Sequence, residues 1–293
     1  MADPSKRLAG NAPGEFYVDS RCIDCDQCRQ IAPSVFREEG GTSVVGRQPA
    51  GGEEALRAEM ALVTCPTASI GTIRKRSLGA ALEAFPERID GNVHFCGFAS
   101  EDSFGASSYL IVRPEGNVLV DSPRFTEPLV RRIEGLGGVR WMFLTHQDDV
   151  ADHANFHERF GCDRVMHEAD ASFEVERPVR GEDPVELGGD LRVIPTPGHT
   201  AGHQVLLHAG KHLFTGDHLW WEPQEGQLGA SRRHCWYSWR EQTRSMARLL
   251  EYSFEWILPG HGARHHAPAA EMHRALEALV GRMTSPRAGL TAP

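Results

Sequence analysis

Cys22, Cys25 and Cys28 stand three residues apart, and Cys65-Pro66 follows much later. Thiolates at i, i+3 and i+6 on one tight loop can reach three corners of an iron–sulfur cubane, and a distant Cys followed by Pro can supply the fourth. Zinc is the rival, but structural zinc sites usually pair two knuckles of two Cys each. A second series carries imidazoles and carboxylates: His146, Asp148, Asp152, His153, His199, Asp217 and His261. One such residue at a strand end means little. Several segments of the same form, in order, predict a shared centre for two divalent cations.

The elements that must hold these loops are legible in the hydrophobic pattern. Residues 15–73 read as a small α+β unit. EFYVDS alternates as a strand before the Cys loop, and TSVVGR is a second strand. Glu53 to Val63 has helical spacing, with Leu56, Met60 and Val63 on its apolar side, and ASIGTI follows Cys65-Pro66. Residues 1–14 read as a flexible N-terminus. Residues 74–90, which open on Arg74-Lys75-Arg76, read as a linker with room for one helix. Residues 91–293 form the second expected domain. SSYLIV and NVLVDS flank a hairpin signal, TEPLVRRIEGLGG is a helix with a Gly stop, and WMFLT is a strand running into His146. DRVMHE, DLRVIPT, HQVLLH, HLFTGD and FEWILPGH are further strands. SWREQTRSMARLLEY and Pro268 to Met283 are helices. His146 and Asp148, two apart in extended chain, point the same way. Asp152 and His153 fall where a helix starts.

A length of 293 residues predicts two domains, at roughly 150 residues each. With 40% hydrophobic and 24% charged residues the chain has material for a packed core. A net charge of −9 argues against nucleic acid as a partner. No apolar run approaches the ~20 residues that span a bilayer, which predicts no membrane partner. Seven cysteines, three of them crowded together, suit thiolate ligands in a reducing compartment better than disulfides. With no apolar leader in MADPSKRLAGNAPGEF, the expected location is cytoplasmic.

The cysteine pattern resembles single-cluster bacterial ferredoxins over roughly residues 15 to 73. Two-cluster ferredoxins place their next Cys-Pro four residues after the third Cys; here those positions hold Ala32-Pro33. The resemblance implies one [4Fe-4S] cluster, with one iron on each of Cys22, Cys25, Cys28 and Cys65. From roughly residue 90 to 280 the chain is similar to the metallo-β-lactamase superfamily. That likeness implies a four-layer αββα sandwich with the metals between the sheet edges. It implies His146 and His199 on one metal, with the residue at Asp148. Asp152, His153 and His261 would hold the other metal, and Asp217 would bridge. Asp121 would lie beneath the site. The expected fold class is therefore α/β, a small ferredoxin-like α+β domain followed by the sandwich.

The family motif, His-x-His-x-Asp-His, is altered here. The run from His146 to His153 has two extra residues and a carboxylate where the second His belongs. Asp148 or Asp149 is then the ligand, and a helix that started early would put Asp149 at i, i+4 from His153. Replacing His by Asp moves preference from zinc toward iron or manganese. In this respect the site is similar to flavo-diiron proteins, which also place a carboxylate at this position.

Two activities follow from these implied cofactors, one cluster and two divalent metals (zinc, iron or manganese). In the first, a metallohydrolase, the metals lower the pKa of a bridging water and the metal-bound hydroxide attacks the carbonyl of a small-molecule substrate. Thioesters, lactones and amides are the family's habitual substrates, and Asp152 would orient the hydroxide and shuttle its proton. In the second, a redox donor protein reduces the cluster, which feeds a di-iron site acting on dioxygen, nitric oxide or a sulfur compound. Several residues are expected outside the chemistry. Cys96, Cys162 and Cys235 read as buried thiols, His157 as part of a solvated helix face, and His218 as pointing away from the site. His203 reads as packing or as a support to the ligands. Trp220 to Trp239 reads as burial of amphipathic rings or as a substrate wall.

Overall fold

The alternating and helical stretches of the sequence become short strands and helices in the computed structural model, which describes residues 2–285. Met1 of the expected N-terminal segment and residues 286–293 of the expected second domain lie outside the described residues. The chain forms two compact units, 1–142 with 150–162 and 143–149 with 163–293.

In the first unit, β1 (Phe16–Val18), α1 (Gln27–Ile31), β2 (Phe36–Glu38), β3 (Ser43–Val45), α2 (Gly52–Thr64) and β4 (Ile70–Thr72) form the cysteine-bearing part. β1 pairs antiparallel with β4, Val18 opposite Ile70, and β2 pairs with β3. An antiparallel pair puts the end of one strand beside the start of the other. The loop carrying Cys22 to Cys28 therefore leaves the pair at the end where Cys65 enters it. Residues 2–14 differ from the flexible segment expected. Buried Asn11 donates to the carbonyls of Leu8 and Val18 and accepts from the amides of Val18 and Val45, which ties the segment down. The expected linker also carries structure, namely α3 (Gly79–Glu83) and β5 (Glu87–Asp90). Between them Phe85 is fully buried, its ring 5.8 Å from Phe95 and 5.6 Å from Phe98. Burying an aromatic ring of this kind contributes about 1.5–3 kcal/mol, more than a solvated linker could supply.

β6 (Val93–Phe95), β7 (Tyr109–Ile111) and β8 (Val118–Val120) continue from β5 as an antiparallel series. Every residue of β7 and β8 is buried, so both faces of these strands are covered. α4 (Glu127–Gly135) buries Leu129, Val130 and Ile133. β9 (Trp141–Phe143) marks the passage between the units. α5 (His153–Phe160) starts after Asp152 and stops at Gly161, whose φ of 62° supplies the left-handed turn that ends a helix.

The second unit contains β10 (Asp163–His167) and β11 (Arg177–Val179), which pair in parallel. Then come β12 (Val185–Gly188), β13 (Leu191–Pro195), β14 (Gln204–His208), β15 (His212–Gly216), β16 (Trp220–Glu222), β17 (Gln227–Gly229), α6 (Trp239–Arg248), β18 (Trp256–Pro259), β19 (His265–His266) and α7 (Ala269–Thr284). One sheet runs β12-β13-β14-β15-β18-β19. Its inner face packs Ile194, Val205, Leu213 and Ile257 against Met246 of α6 and Met272, Leu276 and Leu279 of α7. Among the described residues no helix is long and apolar enough to cross a membrane.

Candidate metal centre

Strand direction in the second unit gathers the ligand residues. β13 and β14 are antiparallel, β14 and β15 are antiparallel, and β15 and β18 are parallel. The C-terminal ends of β13, β15 and β18 therefore lie at one end of the sheet. His199 follows β13, Asp217 follows β15, and His261 follows β18 by two residues. Residues 144–145 join the same end: Gln204, at the start of β14, donates its backbone N–H to Thr145 O and its side-chain amide to Leu144 O. His146 and the Asp148-Asp149 pair come next.

Asp217 lies at the centre of the group. Its Oδ2 is 3.8 Å from His146 Nε2, 3.7 Å from His199 Nε2 and 4.0 Å from His261 Nε2. Asp148 Oδ2 is 3.8 Å from His146 Nε2 and 3.6 Å from His199 Nε2. Asp149 Oδ1 is 3.9 Å from His261 Nε2. Donors on one tetrahedral metal, each about 2.0–2.1 Å from it, lie roughly 3.3–3.4 Å apart. Two sets thus form around one carboxylate, with His146, Asp148 and His199 on one side and Asp149 and His261 on the other. Gly260 makes room for the second set. A Cβ there would sit 2.6 Å from Asp149 Oδ2 and 2.9 Å from Asp217 Oδ1.

The chemistry of these atoms fits cations. His146 Nε2, His199 Nε2 and Asp217 Oδ1 are buried and have no hydrogen-bond partner among the described residues. A buried orphan costs about 1–3 kcal/mol, which a ligand would relieve. Thr145 Oγ1 lies 3.0 Å from His146 Nδ1, so Nε2 is the nitrogen directed at the donor set. Burial pulls the His146 pKa down to about 4, which keeps it the neutral ligand a metal needs. His199 moves the other way: burial would lower it, but the Asp148 carboxylate beside it and then Asp217 outweigh burial and raise it. Asp148 is lowered, first by His199. Burial would raise Asp217, but His261, His146 and His199 together lower it. Asp148 and Asp217, both held on the ionised side, would repel one another without positive charge between them.

The remaining expected residues have partners of their own. Neither set of donors within mutual reach includes Asp152 or His153, which belong to the first unit. Asp152 precedes α5, and its Oδ2 accepts from the Phe125 N–H at 2.7 Å. Because α5 starts at His153, Asp149 is not at helical spacing from it. His157 is not a bare solvated residue, since its Nδ1 lies 2.7 Å from Cys162 O at the end of α5. His218, expected to point away from the site, lies in the interior. It is fully buried and stacks on His203, which in turn packs 5.4 Å from the His146 ring. Asp121 is buried with φ 54° at the end of β8. Asp170 is a supporting residue that no spacing along the chain announces. Buried, it accepts from the amides of Gln147 and Gly202 and from Thr200 Oγ1, tying the His146 loop to the His199 loop. Cys96 and Cys162 are buried and Cys235 half-buried, its Sγ donating to Gly198 O. In the Trp220 to Trp239 stretch the rings of Trp236 and Tyr237 are exposed, while their N–H groups donate to the His199 carbonyl.

In the first unit Cys22, Cys25, Cys28 and Cys65 line one cavity together with Val18, Gln27 and Ile70. All four are free thiols. Burial pushes the Cys25 thiol up to about 12, and Cys28 rises as well. As lone thiols they would stay protonated and inert, so iron, which displaces the proton, is the fitting partner. Backbone N–H groups of Ser43 and Ser69 point at Cys22 Sγ (3.4 Å) and Cys65 Sγ (3.3 Å). Gln27 is buried and donates to Gly105 O and Ser107 Oγ at 2.9 and 2.8 Å, so the segment after residue 98 walls the Cys25 corner. Gly105 is needed there: at φ 84° it packs so closely that a Cβ would stand 2.5 Å from Cys25 Cβ.

Residues 90–262 match the metallo-beta-lactamase superfamily, and residues 18–72 match the 4Fe-4S single cluster domain of Ferredoxin I. The chain belongs to the metallo-β-lactamase superfamily. It joins that domain to a single-cluster ferredoxin domain, and both parts agree with the α/β class read from the sequence. Relatives include the hydroxyacylglutathione hydrolase of Acidiphilium cryptum, 30% identical over 118 residues that make up 38% of this chain and 48% of that protein. The hydroxyacylglutathione hydrolase of Rhodospirillum rubrum is 31% identical over 140 residues, 43% of this chain and 55% of that protein. This metallo-β-lactamase superfamily chain thus spans about half the length of the curated relatives it matches. Among solved structures, DIM-1 metallo-β-lactamase aligns with a TM-score of 0.53 at 19% identity, covering 68% of this chain and 96% of that one. VMB-1 aligns with a TM-score of 0.51 at 18% identity, covering 68% and 97%. At these identities both show the fold alone.

Proposed function

We propose that the protein is a dinuclear metallohydrolase acting on an acyl ester of a thiol, of the hydroxyacylglutathione kind. The observation that carries this reading is Asp217 Oδ2, set 3.7 to 4.0 Å from three imidazole Nε2 atoms with a further carboxylate on either side. When bound, two divalent cations supply Lewis acidity and a water of lowered pKa. The chain's own part is to hold and orient. His146, Asp148 and His199 hold one cation, Asp149 and His261 the other, and Asp217 is shared. We add Asp149 to the expected ligands. To these six donors the resemblance would add Asp152 and His153 of the first unit as ligands of the second cation, with Asp152 also taking up the water's proton. Asp170 fixes the two loops so that the donors need not reorganise. Free thiols throughout support a reducing, cytoplasmic setting.

A second reading is favoured by one feature, the three carboxylates among six donors. Hard oxygen ligands suit iron or manganese. On that reading the cluster, reduced by a donor protein, feeds a di-iron site acting on dioxygen, nitric oxide or a sulfur compound. Metal analysis of anaerobically purified protein separates the two. About four irons per chain, the content of one cubane, together with zinc and thioester hydrolysis supports the first reading. About six irons, with dioxygen or nitric oxide consumed under a reductant and no thioester cleaved, supports the second.

A further inference from the structure

Arg124 lies between two chemistries of the first unit. Its Nη2 donates to the carbonyl of Val63, two residues before Cys65, at 2.9 Å. Its backbone N–H donates to Phe98 O at 2.8 Å. The same Phe98–Ala99 peptide presents the Ala99 N–H, which donates to the carbonyl of Thr64 at 3.1 Å. On the other side, the Phe125 N–H donates to Asp152 Oδ2 at 2.7 Å. These three backbone donations run without a gap from the residue bonded to Cys65, through the Phe98–Ala99 peptide and Arg124–Phe125, to the Asp152 carboxylate.

The path is stiff. Phe98 is buried with φ 45°, and the Phe125 ring meets Phe156 of α5 edge-on at 5.0 Å. Asp152 opens that same helix. The Arg124 side chain beside the path is half-buried, and its Nε is enclosed with no hydrogen-bond partner among the described residues. An enclosed cation needs anions near it. Burial lowers the Arg124 pKa, and the charges of Cys65 and then Asp152 oppose that shift.

We propose that Arg124 is a positioning residue that couples the iron–sulfur cluster to Asp152, its guanidinium balancing the Cys65 corner while its backbone and that of Phe125 hold the carboxylate. The proposal rests on Cys22, Cys25, Cys28 and Cys65 holding the cluster. Such coupling is reciprocal: a change at Asp152 must be felt at the cluster, and a change of cluster charge at Asp152.

The test uses the full chain with its cluster assembled anaerobically. Two quantities are read, the cluster's midpoint potential, by an EPR-monitored titration, and hydrogen exchange at the Ala99 and Phe125 amides. Arg124→Gln removes a cation, so the midpoint potential falls, and exchange at Phe125 rises at least tenfold. Arg124→Lys restores the potential. Asp152→Asn, of nearly equal shape, removes an anion and raises the potential. Potentials equal to wild type in Arg124→Gln and Asp152→Asn overturn the coupling. If Arg124→Gln fails to fold, Asp152→Asn alone decides, because an unmoved potential there rejects the proposal. Iron and sulfide assays of the wild type come first. Their failure to detect a cluster would reject the cysteine assignment itself, and the coupling with it.

Discussion

Asp148 Oδ2 stands 3.6 Å from His199 Nε2, so a carboxylate occupies the place where the superfamily motif carries its second imidazole. The substitution keeps a donor in the set while adding charge and a hard oxygen. It also explains why His199 is raised while His146, buried in the same set, is lowered to about 4.

Asp148→His should move metal selectivity. An imidazole in that place restores the nitrogen-rich set that suits zinc. Protein loaded from an equimolar zinc and iron mixture and analysed for bound metal should shift toward zinc relative to wild type. An unchanged ratio would mean that Asp148 does not bind the metal.

Thr145→Val removes the hydroxyl 3.0 Å from His146 Nδ1 while keeping the shape of the side chain. Loss of a partner that orients a ligand imidazole costs about 10- to 100-fold in metal affinity. Competition with a chromogenic chelator measures it. The cysteine centre should keep its full iron.

Gly260→Ala pushes a methyl group toward two carboxylates, 2.6 Å from Asp149 Oδ2 and 2.9 Å from Asp217 Oδ1. The Asp149 and His261 side should lose its cation while the His146 and His199 side keeps one. Metal counting by titration calorimetry reads the loss. On the hydrolase reading, thioester turnover should fall about 100-fold, the cost of misplacing reacting groups by about 1 Å.

Acid should destabilise the metal-free protein at its histidines. Burial lowers His146 to about 4 and His218 to about 3. Between those values and the ordinary imidazole range near 6.5, the unfolded chain binds more protons than the folded one. Stability contributed by these groups is full above about pH 6.5 and declines as pH falls through the folded pKa values. Thermal melts of chelator-treated protein should show Tm falling from pH 7 to 5, less steeply in His218→Phe. A flat profile would show that neither ring stays neutral in the fold.

Cys25→Ser tests what the cluster does for turnover. The cluster's iron and its visible absorbance should be lost while the metal at the second centre remains. On the hydrolase reading, thioester cleavage continues at a similar rate. A collapse of turnover that depends on reductant would instead favour electron feeding.

Most regular elements were legible because their patterns are long enough to read. The alternation of HQVLLH and the amphipathic spacing of SWREQTRSMARLLEY became β14 and α6. β2, β5, β6, β11, β12, β16, β17 and β19 went unread, since each is only two to four residues long and no longer apolar run flags it. The order in residues 2–14 and the burial within 74–90 could not be read, because Asn11 and Phe85 look locally like any loop residue. Only contacts far along the chain reveal their burial.

The candidate ligands could be named from the chain itself. Cys22, Cys25, Cys28, Cys65, His146, Asp148, His199, Asp217 and His261 stand out by residue type, spacing and position at strand ends, because a strand end fixes where a side chain can be delivered. The choice between Asp148 and Asp149 could not be read that way. A turn of irregular backbone has no period, and its direction is set by what it packs on. The tertiary structure gave both residues a place, Asp148 beside His199 and Asp149 beside Gly260, and it brought in Asp170 and Arg124. Their roles come from hydrogen bonds to distant segments, which spacing along the chain does not encode.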